Sequence, residues 1–137
     1  MGDPKRAATN LEIALRAEPD NVPALNNLSW LYYQAGDERA LALAQQAHRL
    51  QPESPQVADT LGWILLAEGK VAEALHTLEA AATLAPKEPD IAYHYAAALA
   101  QSGAQPEAQR RLRTLLADYQ NFGERKAAQE LLAQLDR

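Results

Sequence analysis

Leu61-Gly62-Trp63-Ile64-Leu65-Leu66-Ala67-Glu68-Gly69-Lys70-Val71-Ala72-Glu73-Ala74 is the stretch that decides the fold. Its first half is apolar at helical spacing, and its second half restarts that spacing after a glycine. The same pattern returns along the chain at a fixed interval. Gly36, Gly69 and Gly103 stand 33 and 34 residues apart. Ala7, Ala40, Ala74 and Ala108 keep that step, as do Pro19, Pro52 and Pro86, and Ala14, Ala47 and Ala81. Trp30 and Trp63 are also 33 apart. Several unrelated residue types sharing one such period mark a stack of repeated supersecondary units.

Each landmark has a physical role. The stretch Pro55 to Ala67 carries Val57, Ala58, Leu61, Ile64 and Leu65 on one side, and Lys70 to Ala85 carries Val71, Ala74, Leu75, Leu78, Ala81 and Ala82. Both read as amphipathic helices. Ser54 before Pro55 is a helix cap followed by a first-turn proline, and Asn21 before Val22-Pro23 and Asp37 after Gly36 fit the same role. The three periodic glycines sit where one helix stops and the chain turns sharply, a place that favours left-handed backbone. The periodic prolines close each second helix. Ala40, Ala74 and Ala108 are small because the paired helices approach closely there.

Together these residues resemble the tetratricopeptide repeat (TPR) family. Its pattern places a small residue (Ser29, Gly62, Ala96) after a large one (Leu28, Leu61, Tyr95), then the turn glycine, the alanines and the closing proline. The fold implied is all-α: a right-handed α-solenoid of helix-turn-helix repeats forming one domain over residues 1–137. The repeats read as 22–54, 55–88 and 89–122, preceded by a half repeat at 3–20 that holds only a second helix, and followed by a capping helix at 123–136. There are departures. The first full repeat lacks one residue after Gly36 and has Ala44 where a large residue is usual. The third has Leu115 for an alanine and Gln120 for the proline. Because the array opens on a second helix, part of the Leu11 and Leu15 face is expected to be uncovered, as in a piece of a longer array.

In this family ligand contacts come from fixed positions of the first helices. The resemblance transfers them to Pro23, Asn26, Trp30, Tyr33 and Gln34, to Gln56, Asp59, Trp63, Leu66 and Ala67, and to Asp90, Tyr93, Ala97, Ala100 and Gln101. The candidate concave-face site comprises these without Pro23, Ala67 and Ala100. Trp30 and Trp63 matter most, since a groove-facing indole offers a large rigid surface with one donor. The alternative is that both pack between adjacent first helices. With Tyr33 and Tyr93 they suit an apolar or helical segment of another protein. Capture of a terminal carboxylate fits poorly, because Asn26 stands alone while Asp59 and Asp90 are acidic.

Composition narrows the function further. Hydrophobic residues are 47% and charged residues 23%, a folded composition. A net charge of −5 disfavours nucleic acid. There is no cysteine, and no apolar run is long enough to span a membrane. His48, His76 and His94 build no metal site on a helix face, though His94 is placed to hydrogen-bond Asp59 of the preceding repeat. No phosphate loop, serine elbow or acid/base pair assembles, so the expectation is a non-enzyme without cofactor. Arg110, Arg111 and Arg113 read as a solvated outer face. A narrower resemblance rests on Asp59-Thr60-Leu61-Gly62-Trp63-Ile64-Leu65, on Ile91-Ala92-Tyr93-His94-Tyr95, and on Phe122-Gly123-Glu124-Arg125-Lys126-Ala127 with Leu131-Leu132. These strings are similar to the C-terminal repeats of the TPR lipoprotein associated with PEP-CTERM/exosortase systems of exopolysaccharide-producing bacteria. That would imply a periplasmic or outer-membrane setting. The rivals to a peptide-binding scaffold are a spacer or self-association module, with a homodimer through the first helix, and an accessory segment of a polysaccharide synthesis or export protein.

Overall fold

The structure is a computed structural model, and it describes residues 2–137. Among the described residues there are eight helices and no strand: α1 (Pro4–Ala17), α2 (Val22–Gln34), α3 (Ala40–Leu50), α4 (Pro55–Ala67), α5 (Val71–Leu84), α6 (Pro89–Gln101), α7 (Gln105–Asp118) and α8 (Arg125–Leu135). The architecture is an α-solenoid.

Helix starts follow local chemistry. The side chain of Asn21 accepts from the Ala24 N–H at 3.1 Å, and that of Ser54 from the Val57 N–H at 3.3 Å, each beside a first-turn proline. Asp37 behaves differently. Its carboxylate accepts from the Arg39 N–H at 2.9 Å and pairs with that guanidinium, while α3 begins only at Ala40. It caps the intervening turn rather than the helix, because the missing residue after Gly36 leaves no room for a full first turn.

The sharp corners are made by Gly36, Gly69 and Gly103, with φ of 71°, 80° and 96°. At each, the following N–H reaches back to a carbonyl five residues earlier: Asp37 to Tyr32, Lys70 to Leu65, Ala104 to Leu99. This double-bonded ending satisfies carbonyls the helix would otherwise strand.

Helices α2 and α3, α4 and α5, and α6 and α7 pair as hairpins. Closeness comes from small side chains: Ala40 and Ala74, Ala108, Ser29 and Ala96 are all buried. The tightest contact is at Gly62, where a β-carbon would lie 2.5 Å from Leu78 Cγ. Among the described residues, α2 touches α4, α4 touches α6 and α6 touches α8, whereas α3 and α5, and α5 and α7, do not meet. The leading helices therefore crowd together and the second helices splay apart. The stack curves, with the leading helices on the inside.

The two ends are held differently. Helix α1 lies on α2, where the Tyr32 hydroxyl donates to Glu12 at 2.7 Å and Arg39 covers the Tyr32 ring at 4.2 Å. Leu11 and Leu15 are half-buried, and Ile13 is 54% exposed. Helix α8 occupies the place of a further leading helix. It is fastened by the Glu124 N–H donating to Asp90 at 2.9 Å, by Gln109 donating to the Leu135 carbonyl, and by Arg113 paired with Asp136.

Candidate binding groove

The inner face holds a recess of about 310 Å³. Helices α2 and α4 contribute Trp30, Gln56, Asp59 and Thr60, and α6 with the residue before it contributes Glu88, Asp90, Ile91 and His94. Glu124, just ahead of α8, closes the far side. Three successive leading helices thus meet around one hollow because the curvature brings their inner faces together.

Its floor is a buried polar contact. His94 Nδ1 lies 2.7 Å from Asp59 Oδ1, and the His94 side chain is only 7% exposed. A carboxylate can only accept, so Nδ1 carries the proton. The other ring nitrogen, Nε2, has no hydrogen-bond partner among the described residues. Trp63 stacks on the imidazole with ring centroids 4.2 Å apart and planes inclined by 29°, and Tyr93 packs on Trp63 at 5.9 Å.

The electrostatics are one-sided. Asp59, Glu88, Asp90 and Glu124 all line the recess, and none is within ion-pair distance of a Lys or Arg among the described residues. The Tyr93 phenol nearby is pushed above its ordinary value, first by burial and then by the charges of Glu124 and Glu130.

The candidate contact residues do not all reach the recess. Trp30, Gln56, Asp59 and Asp90 converge on the recess. Asn26 faces an adjoining cleft with Trp30, and its Oδ1 is sealed from solvent without a partner among the described residues. Tyr33 is half-buried against Trp30, with centroids 5.2 Å apart, while Gln34 and Gln101 are exposed at the helix ends and line no part of the recess. Leu66, Tyr93 and Ala97 are buried at 4%, 8% and 7% exposure, so they form the wall behind the surface rather than the surface. These positions are covered because the leading helices pack against one another. Trp63 is half-buried and wedged between α4 and α6, which gives it a packing role.

Thr60, Glu88, Ile91 and Glu124 line the recess without having been placed among the candidate contact residues. Glu88 and Glu124 lie in the connections ahead of α6 and α8, outside a pattern that numbers only helix positions. The one available signal was a glutamate standing as the last residue before each of these helices. Elsewhere, Arg111 pairs with Glu107 and covers the Tyr95 ring at 4.7 Å, and Arg113 is paired with Asp136, so the outer arginines are largely engaged within the fold. No grouping of His, Asp and Glu able to hold a metal occurs among the described residues, and no helix there is long and apolar enough to cross a membrane.

Sequence profiles of the tetratricopeptide repeat match residues 65–135 and, separately, residues 1–56. A TPR repeat-containing protein of Pseudomonas aeruginosa is 38% identical over 69 residues, which is 47% of this chain and 11% of that protein. The chain therefore spans about a tenth of the length of this relative. Among solved structures, the MamA RS-1 ArsTM double mutant superposes with a TM-score of 0.81 at 20% identity, covering 98% of this chain and 75% of the other. A mutant of the Thermobaculum terrenum O-GlcNAc transferase superposes with a TM-score of 0.80 at 25% identity, covering 86% of this chain and 23% of that one.

Proposed function

Because this chain belongs to the tetratricopeptide repeat family, we propose that it is a non-catalytic scaffold whose concave face receives a segment of another protein. The observation that carries this reading is the recess shared by α2, α4 and α6, with the Trp30 indole and unpaired polar atoms turned toward it. The receptor surface is built from packed helices, so it loses little freedom on binding, and affinity is not spent on ordering it. Asn26, which lines the adjoining cleft with Trp30, extends the surface.

In this reading the repeats run 22–54, 55–88 and 89–122, with 3–20 and 123–136 as terminal pieces. The narrower likeness to the exosortase-associated lipoprotein gains one point of support. Asp59 and Thr60, Ile91 and His94, and Glu124, drawn from its three strings, all line the same recess. On that likeness the captured segment would belong to a bacterial exopolysaccharide or exosortase-linked system, in a periplasmic or outer-membrane setting. Self-association through α1 is the second reading, favoured by the exposed Ile13.

Selection of random peptides on the folded chain tests the proposal. Peptides that bind wild type should lose about tenfold or more in affinity on Trp30→Ala and on Gln56→Arg, which fills the rim, and nothing on Arg110→Ala at the outer face. Selected peptides that bind all four proteins equally would overturn it.

A further inference from the structure

The recess is rich in acceptors. Four carboxylates face it, and the hydroxyl of Thr60 is turned back to the Gln56 carbonyl at 3.0 Å, so it does not donate outward. Independently of that acidic ring, the floor holds a nearly buried imidazole. Its Nδ1–H is used by Asp59, its orientation is fixed by the stacked Trp63, and its Nε2 is left unbonded. In the neutral ring Nε2 is an acceptor. Nε2 is not sealed from solvent, so a donor from outside the chain can reach it. Trp30 also lines the recess, and an indole face attracts flat cations.

We infer that the recess receives an arginine side chain of the bound segment. Guanidinium suits it on three counts. It offers five donors in one plane and no acceptor, matching a wall of carboxylates and an unbonded imidazole nitrogen. It stacks on indole. It also replaces the positive charge that Asp59, Glu88, Asp90 and Glu124 lack within the chain. The volume, about 310 Å³, is at the small end for ligand pockets and accommodates one long side chain rather than a folded element.

This inference rests on the reading of the concave face as a receptor, and names what that receptor selects. The test is a titration of the folded chain followed by the amide and indole signals in two-dimensional NMR. The probe is a blocked Gly-Gly-Arg-Gly-Gly peptide, with citrulline, the uncharged isostere, in place of arginine as the comparison. Spermidine is a third probe. The expected result is saturable shifts centred on the Trp30 indole N–H and the Glu124 N–H. The citrulline peptide should bind about tenfold more weakly or not at all. Glu88→Gln and Glu124→Gln, which keep size and shape, should each weaken the arginine peptide about tenfold, while Glu53→Gln outside the recess should leave it unchanged. Equal binding of the citrulline peptide, shifts scattered over the acidic surface, or spermidine competing as strongly as the arginine peptide would each overturn the inference. Its failure is distinguishable from failure of the scaffold reading. If peptides selected at random still depend on Trp30 while the arginine probe does not bind, only the arginine assignment falls.

Discussion

Replacing Gly62 by alanine sets two effects against each other, and the structure fixes which wins. In a helix interior the change alone stabilises by about 0.8–1 kcal/mol, because glycine gives up more backbone freedom on folding. Here the new methyl would lie 2.5 Å from Leu78 Cγ and 2.7 Å from Cδ2. Leu78 is fully buried, and Cγ is the branch of its side chain rather than a free end, so it cannot swing aside. Overpacking of this kind costs about 1–3 kcal/mol. The net is a loss of about 1 kcal/mol, or about 4 °C in Tm for a chain of this size. Leu78→Ala alone should cost about 2–5 kcal/mol. In that background the clash is gone, so Gly62→Ala should reverse sign and stabilise by about 1 kcal/mol, a coupling of about 2 kcal/mol between the two positions. Equilibrium urea unfolding of the four proteins, followed by circular dichroism, measures the cycle. If Gly62→Ala stabilises by the same amount in both backgrounds, α4 and α5 are not packed as closely as described and the reasoning fails.

Trp63→Ala should destabilise by about 2 kcal/mol, since it strips the cover from His94 and Tyr93, and the loss should appear in thermal unfolding. Tyr32→Phe removes the hydroxyl that donates to Glu12; about 1 kcal/mol should be lost, and α1 amides should exchange faster while those of α5 do not. The Asp37 carboxyl is held down to about 2 from an ordinary 3.8, first by the Arg39 side chain and then by the Arg39 N–H. A depressed folded value means its contribution is complete above the unfolded value and fades as pH falls from about 4 toward 2. Wild type and Asp37→Ala should therefore differ at neutral pH and converge at the acid end, as carboxyl NMR titration paired with unfolding would register.

The fold was legible because its constraints are local and repeated. Gly36, Gly69 and Gly103 announce left-handed corners, Asn21 and Ser54 announce helix starts, and the interval between them forces one unit onto the next. Asp37 shows the limit, since a single missing residue moved its bond from helix to turn. The groove was less legible. Position counting along leading helices found Trp30, Gln56, Asp59 and Asp90, yet placed Leu66, Tyr93 and Ala97 on a surface they lie beneath. Which face of a position survives as surface depends on how closely neighbouring helices approach, and that is set by side-chain volumes summed across three repeats. Glu88 and Glu124 come from connections, whose course no helical period describes.

The central claim is that the inside of the curve, where α2, α4 and α6 meet, is the receptor. The most direct measurement is the NMR footprint of a selected peptide on the folded chain. The account requires the perturbed signals to cluster on the leading helices, with the Trp30 indole foremost. A footprint confined to the outward faces of α3, α5 and α7 would contradict it.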